Sequence, residues 1–312
     1  MSAGAATKVA VVGTGLIGSA WTALFLARGL EVVAIDPDPE APERLARTVA
    51  RMAADLRAAG LVPEGAAIDP ARVVHAAAPG PELAGVGFVQ ENAPERLDLK
   101  RALLARVEEH VAPDAILASS TTAFRATDLQ AGCRHPERVL AGHPLNPPHL
   151  IPLVEVSGGE RTDPACVDRA MAFYAALGKR PVRLARDVEG HIAGRLSAAL
   201  WREAVHLVEQ GVASVEDIDA AVVHGPGLRW AAIGPHLTYH LGGGPGGIGA
   251  YLERLGASQE RRWADLGAPR LTPEVRRQVT EGVLSEARGR SVGDLEAERD
   301  RRIAAALRAL GG

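Results

Sequence analysis

A chain of 312 residues exceeds the usual size of one domain and predicts two. With 47% hydrophobic residues it can bury a substantial core, and a net charge of −3 without a basic block argues against a nucleic-acid partner. Its two cysteines, Cys133 and Cys166, fit no metal spacing, and so few thiols point to a reducing, cytoplasmic setting with no bound metal.

The chain opens on an apolar strand, Lys8–Val12, that runs into Gly13-Thr-Gly15-Leu16-Ile17-Gly18 and then an apolar helix. In such a turn the first glycine makes the tight bend, the second lets a pyrophosphate approach bare backbone, and the third lets the helix pack on the sheet. The helix N-terminus offers unpaired N–H groups and a positive dipole end to phosphates. Three glycines and the lack of a basic leader also separate the run Val9–Ala27 from a membrane span, and no other segment approaches one, so no membrane partner is expected. A second strand, Glu31–Asp36, ends in an acid placed to accept hydrogen bonds from a ribose diol and to repel a 2′-phosphate, which favours NAD over NADP.

Helical spacing follows over 40–60, through Leu45, Val49, Met52 and Leu56. Strands are expected at 72–76 and 87–92, a helix at 93–111 with Pro94 near its start, and further strands at 115–120, 139–143, 151–156 and 180–184. This alternation predicts an α/β fold: an N-terminal Rossmann domain with a doubly wound, largely parallel sheet over residues 1–186. Residues 187–312 read as an all-helical domain, with helices at 191–210, 215–222 capped by Ser214, 272–288 and 292–310. The run Gly242-Gly-Gly-Pro-Gly-Gly reads as a flexible loop.

Oxidation of a secondary alcohol needs a base for the hydroxyl proton. His143 follows a strand in Gly-His-Pro-Leu-Asn-Pro-Pro, at the carboxyl edge where open α/β sheets bind ligands. Glu155 is the charged residue of the apolar strand Leu-Val-Glu-Val and needs a partner if buried. Paired, the carboxylate fixes the imidazole tautomer and stabilises imidazolium while the other ring nitrogen takes a proton. Alone, each reads as an ordinary structural residue, for the chain has ten histidines. Ser119, Ser120, Thr121 and Thr122 close another strand with hydroxyls able to hold a substrate oxygen, although strand-end hydroxyls are also common turn residues. Arg229, in Gly-Leu-Arg-Trp, presents a planar fork suited to a carboxylate, or equally to loop carbonyls.

The glycine turn, Ser-Ser-Thr-Thr-Ala-Phe, Gly142-His-Pro-x-Asn-Pro and Leu-Val-Glu-Val together resemble the 3-hydroxyacyl-CoA dehydrogenase family. Gly190-His-Ile-Ala, Trp201-Arg-Glu-Ala and Gly225-Pro-Gly-Leu-Arg-Trp-Ala resemble its branch of L-carnitine 3-dehydrogenases, with gulonate dehydrogenase/lambda-crystallin nearby. The resemblance implies His143 as base, Glu155 as its orienter, and Thr122 in place of a serine that helps hold the substrate oxygen. The expected cofactor site is Gly13, Gly15, Leu16, Ile17, Gly18, Asp36, Glu91 and Asn146, and the expected substrate site is Ser120, Arg229 and Trp230. The resemblance also implies a homodimer through the helical domain.

The expected reaction is NAD-dependent oxidation of a small 3-hydroxy acid to the 3-keto acid, with L-carnitine to 3-dehydrocarnitine first. A 3-hydroxyacyl-CoA or gulonate-type dehydrogenase is the alternative. Arg44, Arg47 and Arg51, without a lysine, do not favour CoA. Two departures stand out. Gly194 occupies the position of a family asparagine that polarises the carbonyl, which keeps open an impaired NAD-binding protein, crystallin-like or a sensor. Leu145 occupies a position that carnitine enzymes tend to fill with an aromatic residue. Phe124, Trp201, Trp230 and Tyr239 are the aromatic faces left to hold a quaternary ammonium, although core packing is their ordinary role.

Overall fold

Alternate residues of the first strand face two different cores. Val9 and Val11 pack with Trp21, Phe25 and Tyr174, whereas Ala10 and Val12 pack with Leu104, Leu117 and Leu129. A strand apolar at each position from Val9 to Val12 is what a sheet covered on both faces requires. The computed structural model describes residues 6–311.

In chain order the first half runs β1 (Lys8–Val12), α1 (Leu16–Ala27), β2 (Glu31–Ile35), α2 (Ala41–Ala58), β3 (Val74–Ala76), β4 (Phe88–Glu91), α3 (Leu97–Val107), β5 (Ile116–Ser119), α4 (Ala126–Leu129) and β6 (Val139–Pro144). Then come β7 (Leu153–Gly158), α5 (Pro164–Ala176), β8 (Arg180–Arg183), α6 (Ala193–Glu209), α7 (Val215–His224), α8 (Pro226–Ala232), α9 (Pro235–Gly242), α10 (Gly247–Asp265), α11 (Pro273–Ala287) and α12 (Val292–Leu310).

The eight strands form one sheet in the order β3-β2-β1-β4-β5-β6-β7-β8. Strand order reverses at β1, which lies between β2 and β4 in parallel register, with Val12 level with both Ile35 and Glu91. Open sheets of this type bind ligands in the crevice beyond such a switch point. The β6–β7 pair alone is antiparallel, and its register sets His143 directly opposite Glu155. Cross-strand partners project from the same face.

By compactness the chain divides into one unit holding residues up to Arg195 together with those from Glu298 onward, and a second unit, Leu196–Ala297. The end of α12 thus belongs with the sheet, unlike the contiguous 1–186 and 187–312 division expected from composition. There Ala304 is buried with Ala59 and Leu150, flanked by Leu61, Ile303 and Leu307.

Several elements differ from expectation. The helix expected over 93–111 is shorter, Leu97–Val107, and the one expected from His191 starts at Ala193 because His191 adopts a left-handed backbone at φ 50°. Residues 242–247 are not a loop. They end α9, form a 3-10 turn and start α10, and a Cβ at Gly243 or Gly247 would strike the Gly247 carbonyl or the His240 ring. These glycines serve close packing of two short-linked helices. Cys133 and Cys166 are free and buried. No helix among the described residues is long and apolar enough to cross a membrane.

Candidate functional site

Two glycines of the first turn are fixed by packing and the third is fixed by approach. Gly13 has φ 85°, and a Cβ there would come within 2.9 Å of the Asn92 backbone; a Cβ on Gly18 would overlap the Gly13 carbonyl. At Gly15, the N-cap of α1, a Cβ would meet no atom within 4 Å, and no side chain caps the helix. Bare backbone and uncapped N–H groups therefore face open space, as a pyrophosphate requires. Leu16 is exposed and Ile17 is half-buried at the helix start.

Asp36 stands beyond the end of β2. Its Oδ2 accepts from both the backbone N–H and the hydroxyl of Thr14, each at 2.8 Å, while Oδ1 accepts from Asp38 N at 3.1 Å. The carboxylate is thus locked to the glycine turn. Beside it lies a cavity of about 200 Å³, lined by Asp36, Pro37, His75 and Ala76 among others. Cradle, locked acid and adjoining cavity fit the phosphates, ribose and adenine of a dinucleotide.

His143 and Glu155 form the second cluster. Nδ1 of His143 lies 2.9 Å from Oε2 of Glu155, with the ring 6% exposed and the carboxylate 1%. The other oxygen, Oε1, accepts from the N–H groups of Ile192 and Ala193, at 2.8 and 2.9 Å, where α6 begins. Burial alone raises the Glu155 carboxyl, but the His143 bond and the two backbone bonds outweigh it and hold it below its ordinary value. An ionised Glu155 orients Nδ1–H toward itself, so Nε2 is the nitrogen turned over to a substrate.

Around this pair, Gln90 donates to Ser120 Oγ at 2.8 Å and to the Gly142 carbonyl at 3.1 Å, and accepts from the Tyr174 hydroxyl at 2.7 Å. Glycine at 142 is required, because any Cβ would overlap that hydroxyl. Ser120 Oγ in turn donates to Asn92 Oδ1 at 2.7 Å, so its hydroxyl is held inside a network. Thr122 is exposed at the end of β5, its backbone N–H donating to Glu95 Oε1 at 3.1 Å.

Glu91 is placed differently from its neighbours in the expected cofactor set. Its carboxylate is fully buried, 3.0 Å from Lys100 Nζ, and accepts from Ala93 N and from the Ser119 hydroxyl. What it offers at the strand end is backbone. Asn146 is exposed two residues beyond β6. Arg229 and Trp230 lie on α8 of the second unit, both exposed, as are Trp201 and Tyr239, whereas Phe124 packs against a core of the first unit. Gly194 lies in the first turn of α6, and a Cβ there would meet nothing within 4 Å.

The expected set omits His191, Gln90, Asn92 and Glu95. His191 is fully buried, stacks on His143, and lies with Nε2 3.0 Å from the Thr121 carbonyl. Its signal was the Gly190-His pair, since a glycine at φ 74° ahead of a polar residue marks a bend rather than a helix interior. Gln90 and Asn92 frame an acid at the end of a strand otherwise apolar, a pattern that marks a polar strand end without naming its partners.

Residues 8–188 match the family "3-hydroxyacyl-CoA dehydrogenase, NAD binding domain" and residues 190–291 its C-terminal domain. The chain is 49% identical to the L-carnitine dehydrogenase of Streptomyces griseus over 304 residues, covering 97% of this chain and 90% of that one. It is 44% identical to the L-carnitine dehydrogenase of Bacillus cereus, covering 94% and 89%. Among solved structures, an NAD+-dependent dismutase, 5-formyl-3-hydroxy-2-methylpyridine 4-carboxylic acid 5-dehydrogenase, superposes with TM-score 0.84 at 31% identity, covering 98% of this chain and 99% of that one. The (S)-3-hydroxybutyryl-CoA dehydrogenase of Ralstonia eutropha superposes at 0.63 with 27% identity, covering 70% and 76%.

Proposed function

The chain belongs to the 3-hydroxyacyl-CoA dehydrogenase family, and from that premise we propose that it oxidises the hydroxyl of a small 3-hydroxy acid, L-carnitine, to the ketone of 3-dehydrocarnitine with NAD. The observation that carries the reading is the His143–Glu155 pair, set opposite each other by strand register and anchored on the start of α6. Similarity to L-carnitine dehydrogenases over nearly the whole chain supports the substrate.

Bound NAD supplies the acceptor for the hydride that leaves the hydroxyl carbon. Gly13, Gly15 and Gly18 shape the cradle for its phosphates, with Leu16 and Ile17 at the helix start, and Asp36 takes the ribose hydroxyls. His143 Nε2 takes the hydroxyl proton, and ionised Glu155 stabilises the resulting imidazolium through Nδ1–H. Thr122 steadies the substrate oxygen, and Ser120 holds the strand end beneath it. Glu91 and Asn146 border the cofactor through backbone and side chain respectively. Arg229 grips the substrate carboxylate with two parallel N–H bonds, and Trp230 offers a ring face to the trimethylammonium. Exposed Leu196, Leu200, Trp201, Leu228 and Leu241 give the helical unit an apolar surface suited to pairing with a second copy. Two free thiols fit the cytoplasm.

The test is NADH formation with carnitine, 3-hydroxybutyrate, gulonate and hydroxybutyryl-CoA, alongside His143→Asn. Carnitine turns over fastest, and the variant loses about 10²–10⁴-fold in rate while binding NADH as before. Turnover of another substrate instead moves the substrate assignment. If wild type and variant bind NADH but are equally inert, the chain is a binding protein.

A further inference from the structure

Three side chains that take no part in the His143–Glu155 chemistry converge from separate segments. Asp55 on α2, His149 between β6 and β7, and Asp300 on α12 each place one potential ligand atom within 4.8 Å of the others. We propose that these three residues hold a divalent transition metal of the zinc class, which ties the end of α12 to the sheet-bearing unit.

The cluster is unlike a surface patch of acids. His149 is 1% exposed, yet neither of its ring nitrogens has a hydrogen-bond partner, and Asp55 Oδ2 is buried and equally orphaned. Buried polar groups are almost always paired, so Asp55 Oδ2 and the His149 Nε2 beside it, both orphaned, call for a missing partner. The spacing says which kind. His149 Nε2 lies 3.4 Å from Asp55 Oδ2, beyond good hydrogen-bond length and out of alignment. Two ligands each about 2.1 Å from one tetrahedral ion are separated by about 3.4 Å.

The donors set the metal class. One imidazole and two carboxylates suit zinc or its divalent neighbours, whereas magnesium and calcium prefer oxygen alone and copper(I) prefers sulfur. Asp300 is 1% exposed; its Oδ1 accepts from Arg299 Nε at 2.8 Å, and Arg51 Nη1 stands 3.8 Å from Oδ2. Arg51 is 45% exposed at its side chain and free to turn outward, leaving Oδ2 to the ion. Three protein ligands leave a fourth position for water. His149 also lines a cavity of about 510 Å³ that gives an ion a route in. A small apolar patch around Ala59, Leu150 and Ala304 and the bond from Arg308 to the Ala58 carbonyl also hold this part of α12, and a metal cross-link would add to them.

The experiment strips the full-length protein with a chelator and titrates Zn²⁺ by calorimetry, with metal content measured by plasma mass spectrometry and Co²⁺ substituted for its visible spectrum. The expected result is one ion per chain, a Tm that rises on adding Zn²⁺, and tetrahedral Co²⁺ bands. His149→Gln, Asp55→Asn and Asp300→Asn each weaken binding at least about tenfold and abolish the Tm rise. If His149→Gln fails to fold, the two nearly isosteric asparagine variants decide. No saturable binding to the wild type, or the same binding in the variants, overturns the proposal. None of these readouts depends on dehydrogenase activity.

Discussion

The ring of His191 lies stacked on that of His143, with centroids 4.7 Å apart and planes inclined by 25°. Burial holds His191 below the ordinary histidine value, more than the Thr121 carbonyl raises it, so the ring stays neutral and donates Nε2–H to that carbonyl. A neutral plate wedged there keeps the His143 ring from tilting. His191→Ala should lower kcat about ten- to hundredfold, and His191→Phe, which keeps a flat face, should restore most of it. Equal kcat in wild type and His191→Ala, with folding checked by circular dichroism, would leave the stack without a role.

Glu155 contributes stability that depends on acid. Its folded pKa is depressed below an unfolded value of about 4.3. The contribution is therefore complete above that unfolded value and disappears as pH falls through the folded one. Glu155→Gln should be less stable than wild type by about 1–3 kcal/mol at pH 7, with the gap narrowing in acid. Urea melts at pH 7 and pH 3 test this, and a constant gap contradicts it.

The proposed role of Asp36 in cofactor preference can be tested directly. Asp36→Ala removes the acceptor of both Thr14 bonds and the charge that repels a 2′-phosphate. KM for NAD should rise about tenfold or more, and the preference for NAD over NADP should narrow. Initial rates with each cofactor report both effects.

Lys100 and Glu91 are each 1% exposed at the side chain and 3.0 Å apart. Lys100→Met strands a buried carboxylate and should cost about 3–5 kcal/mol. Glu91→Gln with Lys100→Met should recover part of that loss. Chemical denaturation of the wild type and the two variants gives the comparison.

Open space beside Gly194 makes Gly194→Asn sterically free. Its stability should stay within about 0.5 kcal/mol of wild type, since asparagine is no worse than glycine in a helix. If the family amide acts as the resemblance implies, kcat on carnitine should rise. An unchanged kcat would mean that another group already polarises the carbonyl.

Much of the first unit is legible in the sequence because its signals are local. The strand Lys8–Val12, the three glycines and Asp36 each carry their own constraint, and the largely parallel, doubly wound sheet follows from the alternation of strands and helices. His143 and Glu155 are legible as candidates, twelve residues apart on strand edges. Their direct opposition is not, because it depends on β7 running antiparallel to β6, a choice made by packing rather than by either strand's composition. The helix Pro164–Ala176 has a readable start, Asp163 capping Ala165 N, but its buried Tyr174 acts through Gln90, a contact across 84 residues that no local pattern encodes. Glycines around 242–247 mislead for a similar reason: glycine signals a missing side chain, and only the partner helix shows whether that freedom is used for motion or for contact.

The last helix returns to the sheet-bearing unit, with Asp300 and Ala304 buried there. That unit is consequently assembled from two stretches of chain separated by the whole of Leu196–Ala297. During synthesis, the stretch up to Arg195 emerges first but cannot close its surface around Ala59 and Leu150 until the residues from Glu298 onward have been made, so its core is completed only after the intervening helices have left the ribosome.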